Sequence, residues 1–175
     1  MEIGLLLLRV VVGLLMAAHG AQKLFGWFGG HGPAGTAGFL EALGWRPGRP
    51  FAMLLGAAEL LGGLALALGL GTPIAAGVLA GVLANAAWTV HRDKGLWNTD
   101  GGYEFPLTLV AAALATAFTG AGAYSLDGVL GWSLSGTTWG LVAVGLGLLG
   151  WLVGVGARAL PAHHGTGVPH GVQPV

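Results

Sequence analysis

Five long apolar runs constrain the fold of this sequence more than any other feature. They cover residues 3–24, 51–70, 73–91, 104–119 and 138–157. A helix needs about 20 residues, and at least about 17, to cross the hydrocarbon core of a bilayer. Only the run at 104–119 falls short of that length. The sequence therefore predicts five helical membrane crossings and contact with the lipid bilayer.

Composition supports a membrane protein and excludes other classes. Charged residues make up 8% of the chain, about a third of the usual share in a soluble domain. The 35 glycines suit helices that pack closely in lipid. The net charge of zero gives no reason to expect a nucleic-acid partner. Because the chain has no cysteine, it cannot form disulfides or Cys-ligated metal sites.

Glycine placement predicts how the helices connect and pack. Only Gly71 and Thr72 separate the second and third runs, which predicts a tight hairpin with Pro73 in the first turn of the new helix. The third run carries Gly77-x-x-x-Gly81 and the fifth carries Gly150-x-x-x-Gly154. Both spacings are typical of faces on which helices approach closely.

The segment between the first two runs has helical character of its own. In Thr36–Leu43, the apolar Phe39, Leu40 and Leu43 alternate with a solvent-facing Glu41. The segment predicts a short interfacial helix, with an ordinary loop as the alternative. The aromatic residues expected at the headgroup level are Trp27, Phe28 and Trp45.

Basic residues predict the orientation in the membrane. With five crossings, one side of the membrane receives six of them: Lys23, Arg46, Arg49, Arg92, Lys94 and Arg158. The other side has only Arg9, which lies inside the first helix. Since Lys and Arg accumulate on the cytoplasmic side, the N-terminus is predicted outside and the C-terminus in the cytoplasm. If the short fourth run does not cross, Arg158 changes side.

Four polar residues are predicted at membrane depth, on three different helices. They are Arg9, His19, Glu59 and Asn85. A charge near the bilayer centre costs about 2.5–3.5 kcal/mol on insertion scales, so each needs a partner or a cavity. At 1.5 Å per residue, Glu59, Asn85 and His19 fall in one slab on the basic side, which predicts a shared polar pocket. The alternative is a set of hydrogen bonds that only join the helices.

Other polar residues carry competing interpretations. Lys23 and His91 lie near helix ends and are interpreted as side chains that extend toward water. A haem between His19 and His91 is a further possibility, although the two helix faces align poorly. In the Gly/Pro-rich tail, a metal site is one interpretation and a disordered end the other. The histidines concerned are His163, His164 and His170.

Four blocks resemble the DoxX family of bacterial membrane proteins. They read LLLLRVVVGLLMAAHGAQKLFGWFGGHGPAGTAGFLEALG, LLGAAELLGGLALALGLGTPIAA, NTDGGYEFPL and AYSLDGVLG. The resemblance covers about residues 3–131 and implies a multi-pass protein of the bacterial inner membrane. We therefore expect an all-α membrane protein, a four-helix transmembrane bundle with a fifth C-terminal transmembrane helix. Its parts would be the bundle (1–131), the added helix (132–158) and a flexible tail (159–175).

The resemblance also implies function. Family members are similar to the DoxD subunit of a thiosulfate:quinone oxidoreductase, so a quinone is the expected cofactor. The matching polar positions are Arg9, His19, Gln22, Lys23, Glu59, Tyr103 and Glu104. Glu104 also has a simpler interpretation, as a carboxylate that stabilises the first turn of its helix.

We interpret Glu59 and His19 as catalytic groups of a proton relay. The quinone would be bound by a second set of residues: Arg9, Gln22, Lys23, Asn85, Trp88, Tyr103 and Glu104. Because the chain has no evident redox centre, electrons would come from a soluble or membrane redox partner. A homo-oligomer is also expected as an option. The alternative functions are a proton-coupled small-molecule transporter and a scaffold that recruits soluble redox enzymes.

Overall fold

A computed structural model describes residues 1–159, and these form seven α-helices with no strand among them. The helices are α1 (Glu2–Phe25), α2 (Gly32–Ala42), α3 (Gly48–Leu68), α4 (Thr72–Ala86), α5 (Glu104–Thr119), α6 (Leu126–Val129) and α7 (Gly136–Ala159). The predicted all-α class is confirmed. The tail histidines proposed for a metal site lie outside the described residues.

Four helical segments are long and apolar enough to cross a membrane. They are Glu2–Phe25, Gly48–Leu68, Thr72–Lys94 and Gly136–Arg158. The shorter α5 has 16 residues, or about 24 Å of helix, against a hydrocarbon core of about 30 Å. It nevertheless runs from one end of the bundle to the other. Phe105 at its start lies beside His19, and the segment after its end reaches the α3–α4 turn, where the Asp127 N–H donates to Gly69 O.

The predicted hairpin between the second and third runs is confirmed. Gly69 and Gly71 adopt left-handed backbone angles, with φ of 66° and 55°, which side chains other than glycine rarely adopt. Pro73 lies in the first turn of α4, where its missing N–H costs no helical hydrogen bond. The two helices therefore run antiparallel.

Glycines bring two pairs of helices into backbone contact. A methyl group added at Gly77 would lie 2.8 Å from Ala143 O, so the predicted close-packing face of α4 is confirmed against α7. A second glycine contact joins α1 to α3, where a methyl group on Gly13 would lie 2.5 Å from Gly63 O. Because only hydrogen fits at these positions, α4 pairs with α7 and α1 pairs with α3.

The predicted helix in the first loop forms as α2 and is fastened to the last helix. Leu40 is buried against the bundle, whereas Phe39 is exposed. Trp27 and Phe28 are exposed, as expected of headgroup anchors, but Trp45 is buried. The Trp45 Nε1–H donates to Gly154 O of α7 at 2.8 Å. Its aromatic ring therefore packs between helices instead of standing free at the interface.

The last part of the α4 crossing leaves regular α-helical geometry. Residues Ala87–His91 form a π-helical turn, and Arg92–Lys94 continue as a 3₁₀ turn. Such π turns widen the helix and shift the register of the residues that follow. This segment lies at the same end of the bundle as Lys23 and the start of α5.

Candidate functional site

A buried ion pair joins α1 to α3. Lys23 Nζ lies 2.5 Å from Glu59 Oε2, and the two side chains are 22% and 7% exposed. Gly20 and Gly56 lie one turn away on the facing sides, where a methyl group on Gly20 would be 2.6 Å from Gly56 O. Because the two backbones approach so closely, the lysine can reach the acid within the helix–helix interface.

The position of Lys23 differs from its predicted one. The sequence placed this side chain at the helix end, extending toward water. Instead the ammonium turns inward to Glu59, and its Nζ also lies 3.5 Å from His19 O. The physical reason is the cost of a carboxylate in lipid, which a cation one helix away reduces.

His19 lies one turn before Lys23, at the seam between α1 and α5. Its Nδ1 is 2.9 Å from Leu15 O, so Nδ1 carries the hydrogen and Nε2 of the neutral ring is a proton acceptor. The imidazole ring faces Phe105 with 6.4 Å between ring centroids. No hydrogen bond joins His19 to Glu59 within residues 1–159. The Lys23 ammonium contacts Glu59 and the backbone carbonyl of His19.

Asn85 does not join this group. Its Nδ2 donates to Gly81 O at 2.9 Å and to Gly150 O of α7 at 3.0 Å, while Oδ1 is buried without a partner. The predicted pocket shared by Glu59, His19 and Asn85 is therefore wrong. All three lie toward the same end of the bundle, but Asn85 is on the face of α4 that packs against α7.

An apolar cavity of about 290 Å³ lies on that other side of the bundle. Its walls come from α2, α3, α4 and α7, with Asn85 and the ring of Trp45 among the lining groups. Ala58 lines it, whereas the neighbouring Glu59 faces α1. The cavity and the ion pair thus lie on different faces of α3.

Arg9 lies at the opposite end of the bundle, and its side chain is fully buried. Its Nη2 donates to Tyr124 O at 2.6 Å, and its Nη1 donates to Ala67 O at 3.3 Å. These contacts fasten α1 to the α3–α4 turn and to the segment before α6. The predicted role of Arg9 in binding a quinone stays a prediction, but its contacts are with backbone far from the ion pair.

Asp127 is a buried charged residue that sequence reasoning missed. Its carboxylate accepts hydrogen bonds from Gly71 N at 2.7 Å, Thr72 N at 3.0 Å and Thr72 Oγ1 at 2.7 Å. It therefore caps the N-terminus of α4 from a distant part of the chain. One signal was available, since Asp127 is the only charged residue between the fourth and fifth apolar runs.

The other predicted quinone-binding residues are dispersed. Gln22 Nε2 donates to Phe28 O at 3.1 Å, and Glu104 Oε2 accepts from Asn98 N at 2.9 Å. Trp88 packs edge-on against Trp151 with centroids 5.5 Å apart. These contacts order loops and helix ends around the basic end of the bundle, and none of them involves Glu59.

Tyr103 and His91 both contact the loop between α4 and α5, although His91 itself lies in the π-helical turn. The Tyr103 N–H donates to Gly95 O at 3.1 Å, and His91 Nδ1 lies 2.7 Å from Gly101 O. His91 therefore contacts this loop, whereas His19 lies at the α1–α5 seam. In the described part of the chain, no group of three or more His, Asp or Glu side chains could hold a metal ion.

Comparison with known proteins agrees with this architecture. The family model described as DoxX matches residues 4–92, half of the chain. "Putative oxidoreductase CatD" of Bacillus subtilis is 32% identical over 126 residues, 72% of this chain and 86% of that protein. "Inner membrane protein YqjF" of Escherichia coli is 32% identical over 131 residues, 74% of this chain and 93% of that protein. No solved structure gives a significant match. The protein is thus a multi-pass bacterial inner-membrane protein that belongs to the DoxX family.

Proposed function

We propose that the chain is a membrane subunit of a quinone-linked oxidoreductase, in which His19, Lys23 and Glu59 handle protons. The observation that carries the proposal is the Lys23–Glu59 ion pair buried between two membrane helices. An ion pair is an expensive way to join helices, because apolar residues of similar size often stabilise a core as well or better. Polar groups in membrane helices mark functional sites by default.

The α1–α5 seam suits a quinone headgroup. His19 Nε2 can accept a proton, the Lys23 ammonium can donate hydrogen bonds to a carbonyl oxygen, and the half-exposed ring of Phe105 offers an apolar surface. The Lys23 side chain is 22% exposed, so the ion pair is not sealed from its surroundings. When bound, the quinone would supply the two-electron chemistry.

In this proposal the residues of the chain bind the headgroup and move protons. Lys23 orients a quinone oxygen, His19 takes or returns its proton, and Glu59 keeps the ammonium in place within lipid. Electrons would pass to or from a partner subunit, since no redox centre is evident in this sequence. The name of the Bacillus subtilis relative, "Putative oxidoreductase CatD", agrees with a redox role.

Quinone-linked electron flow in membrane vesicles tests the proposal. We expect Glu59→Gln and His19→Phe each to reduce this flow at least tenfold, because each removes a group that holds or moves a proton. The matched control is Glu41→Gln, which changes an exposed carboxylate of α2. Full electron flow in a folded Glu59→Gln protein would contradict the proposal.

A proton-coupled transporter is the second candidate, and the same ion pair favours it. Carboxylates inside membrane proteins serve as proton relays in pumps and transporters. Proton-driven solute uptake by purified protein in vesicles would support transport. Retention of quinone with no solute flux would support the redox role. For a scaffold, Glu59→Ala would retain partner binding.

A further inference from the structure

The apolar cavity beside Asn85 continues along the outside of α3 and α4. A second groove of about 550 Å³ shares Leu54, Ala58 and Val78 with it and extends to Ile74 near the α3–α4 turn. We call the two together the α3–α4 groove. From Asn85 to Ile74, α4 rises about 16 Å, roughly half of the hydrocarbon thickness of a bilayer. The groove is thus about as deep as one lipid leaflet.

The walls of the α3–α4 groove suit a hydrocarbon chain. Small residues leave the space, among them Ala58, Gly62 and Gly81, while leucine and valine side chains line it. Two of its lining groups are polar. The Trp45 indole N–H is already bonded to Gly154 O, and Asn85 donates to backbone carbonyls. The groove therefore offers apolar contact along almost its whole length.

Two arginines follow lining residues of the groove at the basic end of the bundle, Arg46 directly after Trp45 and Arg158 one turn after Gly154. Arg158 is exposed, shares a helix face with the lining residue Gly154, and lays its side chain across Gly44. Arg46 is exposed in the loop directly after the lining residue Trp45. Neither arginine forms an ion pair within residues 1–159.

The acid nearest in sequence to Arg46 is Glu41, at the end of α2. Glu41 accepts the Gly48 N–H at 2.8 Å, and no ion pair joins it to Arg46 or Arg158 within residues 1–159. Basic pockets between transmembrane helices on the cytoplasmic side bind anionic lipid headgroups. The combination of an apolar groove and two exposed arginines at one end matches a molecule with a long chain and an anionic head.

We propose that the α3–α4 groove binds one anionic phospholipid. One acyl chain lies between α3 and α4 and reaches α7, and the phosphate lies at Arg46 and Arg158. The site is on a different face of α3 from the Lys23–Glu59 pair, so it is separate from the proposed quinone site. The bound lipid would cover Asn85 and Trp45 and join the first loop to the last helix.

Native mass spectrometry of the delipidated protein tests this proposal with phosphatidylglycerol and phosphatidylcholine of identical chains. We expect one tightly retained phosphatidylglycerol. Each of Arg46→Gln and Arg158→Gln should reduce the preference over phosphatidylcholine about fivefold, since a cation near the headgroup contributes about that factor. The Arg46→Lys and Arg158→Lys variants should keep most of the preference.

Two controls locate the site. Arg49→Gln removes an exposed arginine from the first turn of α3 on the side away from the groove and should leave the preference unchanged. Ala58→Phe fills the groove and should abolish retention of both lipids.

Equal retention of the two lipids, or an equal loss with Arg49→Gln, would overturn the proposal. Retention of a neutral quinone in place of phospholipid, displaced by Ala58→Phe, would also overturn it. If the glutamine variants do not fold, a preference in the native protein that resists high salt would contradict the headgroup contact.

Discussion

Arg9 and Lys23 both lie on the side of α1 that faces α3, but their surroundings differ. Arg9 is fully buried and donates to two backbone carbonyls, Ala67 O and Tyr124 O. Lys23 is 22% exposed and pairs with another side chain, Glu59. A guanidinium held by backbone has one arrangement, whereas an ammonium paired with a carboxylate can change partners. One helix face thus carries a structural cation at one end and a candidate chemical group at the other.

The largest expected effect tests the structural role of Arg9. Arg9→Met should destabilise the folded protein by about 3–5 kcal/mol, because it leaves Tyr124 O and Ala67 O without donors and removes the cation nearest Asp127. Thermal unfolding in detergent measures the loss. Lys23→Met should cost less, because Lys23 is partly exposed whereas Arg9 is fully buried. The distinction between the two ends fails if Lys23→Met is the more damaging variant.

The glycine contact between the two cations comes next. A methyl group on Gly20 would lie 2.6 Å from Gly56 O, so Gly20→Ala should force α1 away from α3 and cost about 1–3 kcal/mol. Gly4→Ala is the matched control, since no atom lies within 4 Å of the added methyl group. Unfolding in detergent compares the two. Equal stability of both variants would show that the α1–α3 contact is loose.

A double-mutant cycle tests whether the Lys23 and Glu59 side chains interact at the other end of α1. Lys23→Met and Glu59→Gln should each leave one uncompensated charge in the helix interface, and the double variant should recover about 1 kcal/mol relative to the sum. Thermal unfolding of the four proteins gives this coupling energy. Additive effects would mean that the two side chains do not interact in the bilayer. Electron flow should remain lost in the double variant, because stability and proton handling are separate properties.

The smallest loss of stability is expected at Arg92, an exposed cation at the same end of the bundle as Lys23. Arg92 lies 4.4 Å above the Trp88 ring and pairs with the exposed Asp93. Arg92→Gln should therefore cost only about 0.5 kcal/mol, as exposed cation–π contacts and surface ion pairs do. Unfolding and electron flow should both stay near the values of the unchanged protein. A large loss of electron flow would instead indicate that the quinone site lies near α4.

Much of the architecture follows from local patterns in the sequence. Apolar runs predict the helices, and the run at residues 104–119 has the same first and last residue as α5. Gly71, Thr72 and Pro73 predict the hairpin, and the Gly77–Gly81 spacing predicts a close contact that the structure assigns to α7. These features depend on residues that are near one another in the chain, which is why the sequence alone is sufficient.

The grouping of polar side chains depended on information that the sequence does not contain. Helical periodicity gives the face on which Asn85 lies, but not which helix covers that face, and α7 proved to be the neighbour. Depth along the bilayer was therefore mistaken for proximity to Glu59. Asp127 was missed because its partners, Gly71 and Thr72, are more than fifty residues away. Lateral order of helices around a bundle is a tertiary property.

The hydrogen bond from the Trp45 indole to Gly154 O ties the first loop to the final helix across more than one hundred residues. Removal of α7 would leave that N–H in an apolar wall with nothing to accept it, and would uncover Gly77 and Gly81. A shortened chain ending near residue 131 should thus lose order first in its early loop, far along the sequence from the cut. The first loop can therefore reach its final structure only after α7 has been synthesised.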